Sequence, residues 1–147
     1  MQKILVPTDG SENAIKAGEY AISLADLSGA EIVVLNVIDT YYLNAIPQSE
    51  VREEVDEELR NDVKSAVEKF EETIKENQCN GKCQNIKFKV LIKEGKPANI
   101  ILKTIEEEGV DQVIIGKSGK QGLEKFILGR TTDKIVREAK VPVNVIT

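Results

Sequence analysis

The sequence predicts an α/β fold, a single domain over residues 1–147 built on a doubly wound parallel sheet of five strands with helices on both faces. Three observations carry this. Short apolar runs, "KILVP" (3–7), "EIVVLNVID" (31–39) and "DQVIIG" (111–116), are nearly uninterrupted by polar residues, as suits strands covered on both faces. Between the runs, apolar residues recur every three or four positions, the helical period. Strands and helices alternate along the chain, and helical crossovers between apolar strands are the signature of a parallel sheet.

The elements follow in order. The first strand, 3–7, ends at a proline. In "TDGSENAIKAGEYAISLADLSGA", Ala14, Ile15, Gly18, Ala21, Ile22 and Ala25 keep helical spacing, with Ser11 as N-cap and Gly29 just past the end. The second strand is 31–39. "TYYLNAIPQSE" then reads as irregular, broken by Pro47, before a long amphipathic helix carrying Val51, Val55, Leu59, Val63, Ala66 or Val67, Phe70 and Ile74. Its Glu, Asp and Lys residues form a solvated face.

In "IKFKVLIKEG", Ile86, Phe88, Val90 and Ile92 alternate with Lys87, Lys89, Leu91 and Lys93. This period of two predicts an edge strand with its lysine face in water. Pro97 opens and Gly109 closes a third long helix through Ile101, Leu102 and Ile105. The strand 111–116 follows, then a glycine-containing loop, a helix beginning near Thr131 or Thr132, and a last strand, "VPVNVIT" (141–147).

Composition narrows the function. The 147 residues are 41% hydrophobic and 31% charged, which is globular. No run approaches the ~20 apolar residues of a membrane span, and the N-terminus lacks a secretory pattern, so a cytoplasmic location and no membrane partner are expected. A net charge of −5 argues against non-specific nucleic-acid binding. Histidine is absent, which removes the commonest general base, triad member and metal ligand. Only Cys79 and Cys83 are present, in "NQCNGKCQN". A metal site is not expected, and free thiols are favoured over a small disulfide loop.

Ligands of such sheets bind beyond the carboxyl ends of the strands, where strand order reverses. Two loops qualify, "PTDGS" (7–11) and "GKSGKQGLEKFILGRTT" (116–132). The second is no P-loop, because Asp111 stands where the leading glycine is required. The first offers only Gly10 and so lacks the dinucleotide fingerprint. What remains is Gly116, Gly119 and Gly129, followed directly by a helix. Glycines bare the backbone, and a helix N-terminus offers unpaired N–H groups to an anion. Lys117, Lys120, Lys125 and Arg130 face Glu124 alone, a local net of +3 in an acidic chain. These residues support either a phosphate cradle or a soluble turn that merely reverses the chain.

The segments "KILVPTDGSENA", "LNVID", "EGKPANIIL" and "DQVIIGKSGKQGLEKFILGRTTDKIVREAKVPVNVI" together resemble the universal stress protein family, in its nucleotide-binding branch. The resemblance spans essentially the whole chain. It implies a Rossmann-like sheet with strand order 3-2-1-4-5. Gly116, Gly119 and Gly129 match the family's G-x2-G-x9-G spacing. By resemblance, Ile115, Gly116, Ser118 and Gly119 border the ribose and phosphates, while Gly129, Arg130, Thr131 and Thr132 hold the phosphates. Pro7, Thr8 and Asp9 approach the nucleoside, and Val37 meets the adenine through its backbone.

The ligand implied is ATP or AMP, with Mg²⁺ arriving on the phosphates and any hydrolysis slow. Arg130 stands where the family usually has a small hydroxyl residue. Its guanidinium can grip phosphate bidentately, swing outward, or fill the site and exclude ATP. The family also pairs copies through its last strand, implying a homodimer at Val143 to Ile146. The function implied is an adenylate-responsive regulatory protein; the alternative is a nucleotide-independent interaction protein.

Overall fold

The structure is a computed structural model that describes residues 3–79, 86–117 and 129–147. Its elements are β1 (Lys3–Pro7), α1 (Glu12–Ser28), β2 (Glu31–Asp39), α2 (Thr40–Asn44), α3 (Ser49–Cys79), β3 (Phe88–Gly95), α4 (Pro97–Glu108), β4 (Gln112–Gly116), α5 (Arg130–Glu138) and β5 (Val143–Ile146). The five strands form one parallel sheet in the order β3-β2-β1-β4-β5. This is the order that the resemblance implies. Cys83 and the residues around it, the side chain of Cys79, and Ser118, Gly119, Lys120, Glu124 and Lys125 lie outside the described residues.

Side-chain alternation divides the core into two layers. Ile4, Val6, Ile32, Val34 and Ile114 pack on one face with Ala17, Ala21 and Ile22 of α1 and Phe70 and Ile74 of α3. Leu5, Val33, Leu35, Val113 and Ile115 pack on the other with Ile101 and Ile105 of α4 and Ile135 of α5. Covering on both faces is why these strands read as continuous apolar runs. The right-handed rule for crossovers then sets α1 and α3 on one side and α4 and α5 on the other.

Helix ends follow their sequence signals. Ser11 Oγ accepts the Ala14 N–H at 3.3 Å, and Gly29 closes α1 in the left-handed region at φ 75°. Pro97 occupies the first turn of α4, and Gly109 ends it at φ 63°.

Three expectations are corrected. The segment after β2 is not wholly irregular: Asp39 Oδ1 accepts the Tyr42 N–H at 2.9 Å and caps the short helix α2. Val51, placed on the apolar stripe of α3, is 42% exposed, because that stripe meets other apolar groups only from Val55 onward. The lysine face of β3 is not a free solvent face. Crossover geometry lays α4 over it, where Lys93 Nζ meets Glu107 Oε2 at 3.0 Å and Thr104 Oγ1 at 2.9 Å, and Lys89 pairs with Glu108. Leu91 lies between these lysines and joins the α4–α5 core layer, whereas Ile92 on the opposite row is 55% exposed.

Candidate functional site

Strand order reverses between β1 and β4, which pair through Ile4↔Gln112 and Leu5↔Val113. Chain leaves both strands there, so a crevice opens beyond their carboxyl ends. The loop from β1 to α1 meets two of its amides with its own side chains. Thr8 Oγ1 accepts the Gly10 N–H at 3.2 Å, and Asp9 Oδ1 accepts the Ser11 N–H at 2.9 Å. Gly10 has φ 78°, and a β-carbon on it would stand 3.0 Å from Ala66 Cβ of α3. With these N–H groups committed and the Asp9 carboxylate exposed, the loop presents acceptors. It suits hydroxyl or amine donors better than an anion.

The far side of the crevice has the opposite character. Gly129 is the N-cap of α5, and among the described residues no side chain caps that end. The amides of Arg130, Thr131 and Thr132 have no intrahelical acceptor, and the helix dipole adds partial positive charge there. The helix begins at Arg130, one residue earlier than Thr131, because Gly129 rather than a threonine takes the cap position. Arg130 itself is exposed at the start of that helix. Lys117 follows β4, its backbone N–H donating to the Ile146 carbonyl at 2.8 Å.

Two predicted residues have structural duties as well. Thr132, 4% exposed, donates its hydroxyl to the Gly116 carbonyl at 3.0 Å. A β-carbon on Gly116 would come within 2.8 Å of the Asn13 carbonyl carbon and 2.9 Å of the Ala14 nitrogen. Gly116 is therefore bare because the first turn of α1 rests on it, and the last residue of β4 is held between the first turns of α1 and α5. Sequence reasoning assigned both residues to a ligand and missed this junction. Nothing in the spacing signals it, since the partners are more than 100 residues apart for Gly116 and Asn13.

Val37 owes its position to unequal strand lengths. Pairing of β1 with β2 stops at Pro7↔Leu35, and the Thr8 N–H donates to the Leu35 carbonyl at 2.9 Å. β2 continues to Asp39, paired from there only with β3. In a parallel strand, alternate residues turn both N–H and C=O to the same neighbour. Leu35 faces β1 and Ile32 faces β3, as its N–H donates to the Lys87 carbonyl. Val37 therefore presents its N–H and C=O to the space that β1 has vacated.

Among the described residues no group of three or more His, Cys, Asp or Glu converges on a metal-sized site, and no helix is long and apolar enough to cross a membrane. A cleft of about 540 Å³ lies instead at the outer edge of β3, lined by Ile38, Arg60, Ile92, Glu94 and Lys103 among others. Its charges answer one another: Arg60 bonds Glu94 at 2.6 Å and Asp56 at 3.0 Å. The hydrogen bond that Arg60 donates to Glu94 holds the guanidinium pKa above its ordinary value. Lys93 and Lys103 share Glu107 at 3.0 and 3.7 Å, so the charges of this cleft are largely paired among themselves.

Comparison with known proteins agrees with the fold. The model of the universal stress protein family matches residues 1–147. Universal stress protein MJ0531 of Methanocaldococcus jannaschii is 30% identical over 145 residues, covering 99% of this chain and 81% of its own. MJ0577 of the same organism is 32% identical over 157 residues, covering 99% and 94%. The solved structure of MJ0577 superposes with a TM-score of 0.73 at 34% identity, again covering 99% and 94%. An Archaeoglobus fulgidus universal stress protein solved in complex with dAMP shares the fold, with a TM-score of 0.64 at 15% identity and coverage of 100% and 98%.

Proposed function

This chain belongs to the universal stress protein family, and from that premise we propose that it binds an adenine nucleotide in the β1/β4 crevice as a regulatory ligand. The observation that carries the reading is the open backbone of Val37. Adenine offers a ring-nitrogen acceptor beside an exocyclic amine donor, which complements one N–H and one C=O side by side; guanine offers the reverse pattern on that edge. Asp9 then accepts from the ribose, and the uncapped N-terminus of α5 with Arg130 takes the phosphates. Ser118 and Gly119 complete the phosphate loop in this reading. That a distant relative was solved with dAMP supports it.

Mg²⁺, where ATP is the ligand, would ride on the phosphates. Its chemistry there is charge neutralisation. ATP hydrolysis is slow in this reading, because the chain supplies no imidazole as a general base. The exposure of Arg130 favours nucleotide binding over the alternative in which that side chain closes the site. The protein acts as a homodimer joined along β5, whose four residues are all half-buried.

Equilibrium titration with AMP, ADP, ATP and GMP tests the reading. Saturable binding of adenylates with GMP at least tenfold weaker is expected. No binding of any adenylate at millimolar concentration refutes it. Denaturing the purified protein and identifying the released small molecule distinguishes ATP from AMP.

A further inference from the structure

Asn36 is the one polar residue in the row that β2 turns toward α1 and α3, which otherwise holds Ile32, Val34 and Ile38. It is 3% exposed, and its Nδ2 is enclosed with no hydrogen-bond partner. A buried N–H without an acceptor opposes folding and calls for a reason. Its position suggests one. Val34 packs in the cluster of Phe70 and Ile74, and Ile38 packs with Val63. Asn36 lies between them along β2, on the face that α3 covers, and Gly10 rests against Ala66 of that helix. The Thr8 N–H donates to the carbonyl of Leu35, the residue before Asn36, so Asn36 follows directly on the point of β2 at which the Thr8–Gly10 segment leaves the sheet. Among the described residues, no backbone N–H reaches the carbonyls of Thr8, Asp9 or Gly10.

We propose that Asn36 is a positioning residue of the nucleotide site: its enclosed amide donates to a carbonyl of the Thr8–Gly10 segment when ligand draws that segment down, and so fixes Asp9 against the ribose. The inference rests on the adenylate reading above. The donor is prepaid in the free protein, where it has no partner, and is satisfied only in the complex, so the bond adds wholly to affinity.

The test uses Asn36→Leu and Asn36→Val with three measurements: thermal unfolding without ligand, calorimetric titration with AMP, and hydrogen exchange of the segment 8–12. Removing an unpaired amide leaves ligand-free stability unchanged or raised. AMP affinity falls roughly tenfold, and AMP no longer protects the 8–12 amides as it does in the natural chain. Affinity within twofold of natural overturns the inference. Loss of ligand-free stability in both variants also overturns it, because the amide would then already be bonded, for instance to a buried water. Should the natural chain bind no AMP, the adenylate reading falls and this inference with it. Natural binding that the variants retain removes the Asn36 inference alone.

Discussion

The hydroxyl of Thr132 donates to the carbonyl oxygen of Gly116 across 3.0 Å, fastening the first turn of α5 to the last residue of β4. Thr132→Val keeps the shape and removes the donor, leaving a carbonyl unpaired in a site that is 4% exposed at the threonine. Stability is expected to fall by about 1–2 kcal/mol. Urea denaturation at neutral pH measures it, and an unchanged midpoint would show that water replaces the hydroxyl without loss.

Gly116→Ala meets backbone rather than a movable side chain, at 2.8 and 2.9 Å. Overpacking against backbone typically costs ~1–3 kcal/mol and forces a shift, so the variant should unfold earlier whether or not nucleotide is present. A variant that lost only nucleotide affinity would mean that the ligand, not α1, requires this glycine.

Arg130→Ser separates the roles open to the guanidinium. Because Arg130 is exposed at the first turn of α5, its loss should weaken ATP about fivefold, the order expected of a solvent-screened charge-assisted contact. Adenosine binding should not change. Tighter ATP binding in a calorimetric titration would show that the arginine occupies the phosphate position.

The clasp between β3 and α4 gives a pH dependence. The hydrogen bond from Lys93 holds the Glu107 carboxyl below its usual pKa, and that from Lys89 does the same for Glu108. Folded values below unfolded ones mean that this stabilisation is complete above the unfolded carboxylate pKa of about 4.3 and lost as pH falls through the lower folded values. The same Lys89 bond raises the ammonium pKa, so on the basic side it persists until pH passes above about 10.4. Urea denaturation at pH 7 and pH 3 should show a smaller acid loss for the double variant Glu107→Gln, Glu108→Gln than for the natural chain. Equal losses would mean that the clasp adds nothing to folding.

Edge geometry offers a clean probe of the dimer. The Val113 N–H donates to the Pro142 carbonyl and the Lys117 N–H to that of Ile146, so Val143 and Val145 turn their own N–H and C=O away from β4. Val145→Pro deletes one outward donor while sparing the β4 ladder, a position where an edge strand tolerates proline. The natural chain should be dimeric by light scattering at micromolar concentration and the variant monomeric with its fold intact. A monomeric natural chain would exclude pairing along β5.

Much of the architecture was legible because it rests on short-range signals. Ser11, Gly29, Pro97 and Gly109 mark helix ends through local backbone needs, and the apolar runs mark strands that must be buried twice. The α2 turn was missed because Asp39 caps it across only three residues, in a segment whose proline and polar residues read as loop. The lysines of β3 were read as facing water. Alternation reports which residues share a face, but the carboxylates that cover that face come from α4.

The sequence by itself determined the class of fold, the glycine spacing of the 116–132 loop and the acidic chain with a local cluster of cations. Only tertiary structure decided that β2 outruns β1 and opens the backbone of Val37, that α1 and α5 both abut Gly116, and that the Asn36 amide is enclosed without a partner. The physical reason is range. Periodicity and capping act within a few residues, whereas strand overhang, helix contact and an unmet hydrogen bond depend on chain segments that meet only when the sheet closes.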